Sequence, residues 1–215
     1  MKKDIIKKVI TISTISLFFV QSLYLILEPT YVIAASVNDS VVVTLTVDSG
    51  ITITTPSDVT MAPSFGVAAD SSIGSATWNV KTNHATGYSL AVKASASPAL
   101  VSGANNFADY TEGTPTVPEL WSVASGAKEF GYSAYGTDTS TATWGTSASC
   151  GSAGVPAAAQ KYLGFETTDF TVATRAVVTA TTGVDTTVCF AAQQNAVYAA
   201  SGVYTATITA TATEI

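Results

Sequence analysis

Three kinds of residue in this chain could do chemistry: one histidine, two cysteines and a scatter of carboxylates. His84 is the sole imidazole, so a Ser-His-Asp relay would have to use it. It stands in SATWNVKTNHATGYSLAVK, residues 75–93, and no Gly-x-Ser-x-Gly elbow occurs anywhere. There is likewise no HExxH, no phosphate-cradling glycine loop and no DxDxDG calcium loop. The carboxylates stand singly in loops and at strand ends, so spacing alone argues no acid–base pair. Asp138, Asp169 and Asp185 would hold calcium only if the fold gathered them at one end, and they read as ordinary turn aspartates. The expectation is a non-enzymatic protein with no cofactor and no metal.

The cysteines point elsewhere. With one histidine, Cys150 and Cys189 cannot complete a structural zinc site without carboxylates. Two cysteines in an exported chain favour a disulfide between them. Aromatic residues are the remaining candidates for contact with a ligand. Trp144, Trp121, Tyr132 and Tyr135, with Tyr110, would suit an exposed platform for sugar rings. Trp144 is the foremost, because its Gly, Ser and Thr neighbours offer it little core to join. The competing reading is that a large aromatic anchors a long loop onto the core.

The elements that must position these residues are strands. VVVTLTV (41–47) alternates with period two, breaks at Asp48-Ser49-Gly50 and resumes as ITIT (51–54). In the segment 75–93, pairing Trp78 opposite Leu90 sorts both strands into apolar and polar faces and leaves Thr82 to Thr86 as the loop of a hairpin. Trp78 and Tyr88 then belong to the core, and His84 sits at a turn with no partner to activate it. Residues 97–119 read as a long connection and 136–160 as a long Gly/Ser/Thr/Ala loop, with LWSV (120–123) and EFGYSAY (129–135) as strands between them. KYLGF (161–165), DFTVATRAVVTA (169–180), TTVCFAA (186–192) and VYTATITATAT (203–213) follow as further strands. Nine or ten strands without an amphipathic helix predict an all-β fold, an immunoglobulin-like β-sandwich with Greek-key connections, a closed β-barrel being the alternative.

The N-terminus has a different character. Four lysines lie within the first eight residues, ahead of an apolar run over 9–27 and the small-x-small sequence Val32-Ile33-Ala34. That order predicts a signal peptide over residues 1–35 and a single β domain over 36–215. The run is long enough to span a bilayer, so a retained anchor is the competing reading, and only then would a membrane be a partner. Six of its nineteen residues are Thr, Ser or Gln, which weakens that reading. Without residues 1–35 the chain keeps 5 basic and 13 acidic residues, a net charge of −8. Such a surface repels phosphate backbones, which excludes nucleic acid as a partner. Only 11% of all residues are charged against 47% hydrophobic, which suits strands with threonine on their wet faces.

The segments VTLTVDSGITITTPSDVTM, ATWNVKTNHATGYSLAVKAS and VYTATITATATEI, taken in order, resemble secreted bacterial surface proteins of the WxL-domain and related cell-wall type. Trp78, then Gly87-Tyr88-Ser89-Leu90, then Tyr204 to Thr213 occupy the family's recurrent places. Tyr88 stands where the first W-x-L tryptophan would be, and the closing strand carries no W-x-L. The resemblance implies a cell-surface or extracellular location and attachment to peptidoglycan. Cell-envelope polysaccharide, other surface proteins or a second copy of the chain are the expected partners. The alternating strand close behind the export signal is expected to pair within its own domain, as most first strands do; it would also suit donation to a neighbouring sheet, the strand-addition mode of assembly.

Overall fold

The computed structural model describes residues 2–26, 36–67 and 70–215. Two compact units divide the chain at Thr46 and Val47. The first carries the helix α1, Lys2–Ile26. Its stretch Lys2–Leu23 is long and apolar enough to cross a membrane, a test that a signal sequence passes equally. The expected cleavage site at Val32-Ile33-Ala34 lies outside the described residues.

The second unit is built from strands: β1 (Ile51–Ile53), β2 (Ser71–Thr82), β3 (Tyr88–Ala94), β4 (Leu100–Ser102), β5 (Asn105–Asp109), β6 (Glu119–Leu120) and β7 (Lys128–Gly136). A four-residue helix, α2 (Thr141–Trp144), interrupts them before β8 (Gly151–Ser152), β9 (Val155–Pro156), β10 (Lys161–Gly164), β11 (Phe170–Arg175), β12 (Val184–Gln194) and β13 (Ile208–Glu214). The larger sheet runs β1-β2-β12-β7-β10-β6, with β5 alongside β7 and β4 outside β5. A second sheet runs β11-β3-β13, and β8 and β9 form a small ribbon. All pairings are antiparallel except β5 with β7. The larger sheet ends at β1 and β6 and does not close into a barrel.

Alternation explains the core. On β2, Ala76, Trp78 and Val80 are buried; on β3, Tyr88, Leu90 and Val92 are buried; all six share one apolar cluster with Phe130, Tyr132, Val188 and Phe190. The face assignment read from the sequence therefore holds, but the hairpin does not. β2 pairs with β1 and β12, whereas β3 pairs with β11 and β13, so the chain crosses from one sheet to the other between Thr82 and Tyr88. Period-two alternation is the same for strands side by side and for strands in different sheets that share a core, so the pattern could not separate the two. Gly87 makes the crossing possible. Its φ is +80°, and a Cβ there would clash with the carbonyl oxygen of Arg175.

β12 contains the expected strand 186–192 and explains why its residues from Val188 to Ala192 are apolar without alternation. Val188, Phe190 and Ala192 enter the main core, while Cys189 and Ala191 join a second cluster with Tyr110 and Tyr162. A central strand covered on both faces needs apolar residues at every position.

Five further expectations are corrected. Residues 41–47 form no strand, and only Ile51–Ile53 of the first apolar region pairs. The register Ile51↔Thr82 accounts for this, because continuing the antiparallel ladder upstream runs past the end of β2 into the crossing. The stretch 97–119 is not a plain connection: β4 and β5 pair through a two-residue turn at Gly103-Ala104, where Gly103 has φ +60°. The loop 136–160 contains α2 and the β8–β9 ribbon. The strand expected over 169–180 ends at Arg175, and the last strand begins at Ile208, leaving Val177, Val178 and Val203 exposed.

Candidate functional site

The disulfide is present. Cys150 and Cys189 are bonded with Cα atoms 5.2 Å apart, joining the loop ahead of β8 to the centre of β12. Cys189 is fully buried, and the outer cluster packs around the bridge. The Tyr162 hydroxyl donates to the Cys150 carbonyl at 3.3 Å, so β10 holds the same loop.

The aromatic candidates divide between two places and do not form one platform. Trp144 is 1% exposed and packs against Tyr132 and Phe170 with ring centroids 5.5 and 5.8 Å away. Its small neighbours in sequence do not decide its neighbours in space. Ser140 caps α2 by accepting from the Thr143 N–H, Gly145 stops it at φ +91°, and that single turn delivers the indole to the core. Tyr132 is 2% exposed in the same cluster. Trp121 and Tyr135 belong instead to the outer cluster and are half-buried. Trp121 stacks on Tyr110 at 4.5 Å, meets Tyr162 edge-on, and donates its indole N–H to Gln193 Oε1 at 2.7 Å. These rings seal the loop carrying Cys150 onto the sheet.

His84 is partly exposed, and its Nδ1 contacts only the Thr86 hydroxyl, at 2.9 Å. Among the described residues no carboxylate bonds to it. Asp138, Asp169 and Asp185 do not meet. Asp138 accepts from the Tyr88 hydroxyl at 2.8 Å and pairs with Arg175 at 3.1 Å; Asp169 pairs with Lys93; Asp185 accepts from Asn79. Among the described residues no group of three His, Cys, Asp or Glu side chains is spaced to hold a metal ion.

Two features remain without a structural partner. The first is the stretch 41–47, whose Val41, Val42, Val43, Leu45 and Val47 are each between 74% and 89% exposed. Just downstream, Asn83 holds the chain by donating to the Asp48 carbonyl and accepting from the Gly50 N–H, and Ser49 donates to Glu214 at the end of β13. Among the described residues β13 itself has a ladder partner on one side, β3. The second is a cleft of about 410 Å³ beside the end of β10, walled by Asp109, Glu112, Glu166, Tyr132, Phe165 and Phe170. Sequence reading passed over its carboxylates because they come from three separate segments. Only the pairing of β5 with β7 and of β7 with β10 brings those segments together.

No protein-family model matches the chain, and comparison with curated proteins and with solved structures likewise returns no match.

Proposed function

We propose that this chain is an exported, non-enzymatic structural protein of the cell surface or extracellular space, and that it self-assembles by β-strand addition. In this reading the two sheets are an immunoglobulin-like sandwich with Greek-key connections, and α1 serves export. The domain then works in the manner of the WxL-type surface proteins it resembles. One observation carries the reading: an alternating apolar segment, residues 41–47, lies outside any strand with its valines and leucine exposed. Exposed strand-forming sequence is an aggregation hazard unless something pairs with it. Backbone hydrogen bonds from an added strand supply affinity, and alternate side chains supply specificity. The open side of β13 on a second copy is the edge we assign to it. Support for export comes from the disulfide, which persists in oxidising compartments, and from the apolar N-terminal helix.

The test is electron microscopy and light scattering of the protein recovered from its producing cells, beside a V43K/L45K variant. Wild-type oligomers or filaments, with a monomeric variant of unchanged melting temperature, are the expected pair of results. A wild-type protein that stays monomeric at high concentration sinks the assembly reading. Intact mass with and without reductant reports separately on cleavage near Ala34 and on the disulfide, which gains two hydrogens when reduced.

A further inference from the structure

The cleft beside the end of β10 has the composition of a receptor for a positive group. Asp109, Glu112 and Glu166 contribute three carboxylates, and neither Lys nor Arg lines it. Each carboxylate already has an anchor in the fold. Asp109 accepts from the Ser97 hydroxyl and the Ala99 N–H, Glu112 accepts from the Gly164 N–H, and Glu166 from the Thr168 hydroxyl. They are held in place and retain acceptor capacity, since an ionised carboxylate offers about four lone-pair sites.

The second observation is Tyr132. Its side chain is 2% exposed, it lines the cleft, and among the described residues no hydrogen bond engages its hydroxyl, which is not one of the fully enclosed unpaired atoms of the fold. A hydroxyl on a side chain this deeply packed, without a protein partner and with the cleft beside it, is a donor and acceptor available to a molecule in the cleft. Burial, and after it the charges of Glu112 and Glu166, raise the pKa of this phenol.

We propose that this cleft binds a small organic ligand through a primary ammonium group, with Glu112 and Glu166 receiving the ammonium and the Tyr132 hydroxyl bonding to a neighbouring oxygen or nitrogen of the ligand. A volume near 410 Å³ falls within the range of small-molecule sites. The carboxylates are not spaced to close on a metal ion, which favours a larger cation that each reaches separately. Phe165 and Phe170 add apolar wall for the ligand's carbon skeleton. The site is independent of the strand-addition reading, because it uses no residue of 41–47 or β13.

An amino sugar and an aliphatic amine share this chemistry, and a titration separates them. Glucosamine, 1,5-diaminopentane, N-acetylglucosamine and calcium chloride are each added to the full chain in detergent, followed by amide chemical shifts. Saturable shifts at Gly164, Glu166 and Tyr132 are expected with one or both amines, and binding at least about tenfold weaker with neutral N-acetylglucosamine. Tighter binding of glucosamine assigns the hydroxylated source; tighter binding of the diamine assigns the aliphatic one. E166Q and Y132F should each weaken amine binding by about five- to tenfold with an unchanged melting temperature. Equal binding of the acetylated sugar, shifts produced by calcium instead, or no saturation by either amine overturns the proposal.

Discussion

Removing the Cys150–Cys189 bridge tests how the long loop is held. Replacing both cysteines by alanine is the cleanest perturbation, because a serine at the fully buried position 189 would add an unsatisfied hydroxyl. The bridge joins positions 39 residues apart. In the chain-entropy treatment that closure removes about 13 cal/mol/K from the unfolded ensemble, or about 4 kcal/mol at room temperature. With a urea slope of about 2 kcal/mol/M, the unfolding midpoint should fall by about 2 M. The native state should lose little, since Tyr110, Tyr162 and Ala191 still pack around position 189 and Tyr162 still reaches the loop. Equilibrium urea unfolding of wild type and C150A/C189A, read by tryptophan fluorescence and circular dichroism, gives the number. Amide exchange should accelerate first over residues 146–160, with β7 and β12 protected to the global limit. A midpoint shift below about 0.5 M would refute the reasoning, since it would mean the bridge constrains neither state appreciably.

Trp144→Ala should cost about 3–5 kcal/mol, because the indole is buried against Tyr132 and Phe170, whereas His84→Ala should stay within about 0.5 kcal/mol. The reverse ranking in thermal or urea unfolding would restore Trp144 as a surface residue. Asp138→Ala strands Arg175 and the Tyr88 hydroxyl, with the Asp138 side chain only 8% exposed, and should cost about 3–5 kcal/mol; Lys93→Ala, from a pair 39% and 47% exposed, should cost less than about 1 kcal/mol. Similar values for the two would show that Asp138 is better solvated than its contacts imply. Burial raises the phenol pKa of Tyr88, Tyr132 and Tyr162, and lifts that of Tyr110 to about 12. Folded-state values above the unfolded value of about 10 mean the stabilisation is complete below that pH and is lost as pH climbs through the folded values, the unfolded chain ionising first. Tyrosinate absorbance should therefore rise together with loss of the β-sheet signal, and ionisation of all nine tyrosines near pH 10 with the sheet intact would contradict this.

Much of the fold was legible because burial writes a period-two pattern. Trp78, Val80, Tyr88, Leu90 and Val92 were assignable to the core from alternation alone, and every one is buried. The disulfide was legible because a chain with two cysteines has one possible bridge. Alternation does not encode which strand lies beside which. The expected hairpin of 75–93 is therefore an inter-sheet crossing, and the alternating stretch 41–47 has no strand beside it. Of the two readings of Trp144, an exposed platform or an anchor of its loop onto the core, the structure has the anchor; the sequence could not choose, because the rings around it come from β7 and β11, far away in sequence.

By itself, the sequence determined β-rich composition, the faces of its alternating strands, an apolar and export-like N-terminus and the identity of the one possible bridge. Each follows from local chemistry: residue type, period and count. Tertiary structure alone decided that β2 and β3 belong to different sheets and that Trp144 is core. It also decided that Asp138 serves Arg175 and Tyr88, and that Asp109, Glu112 and Glu166 gather with Tyr132 around one cleft. Those outcomes depend on long-range pairing, in which segments tens of residues apart become neighbours through backbone hydrogen bonds that any side chain can accompany.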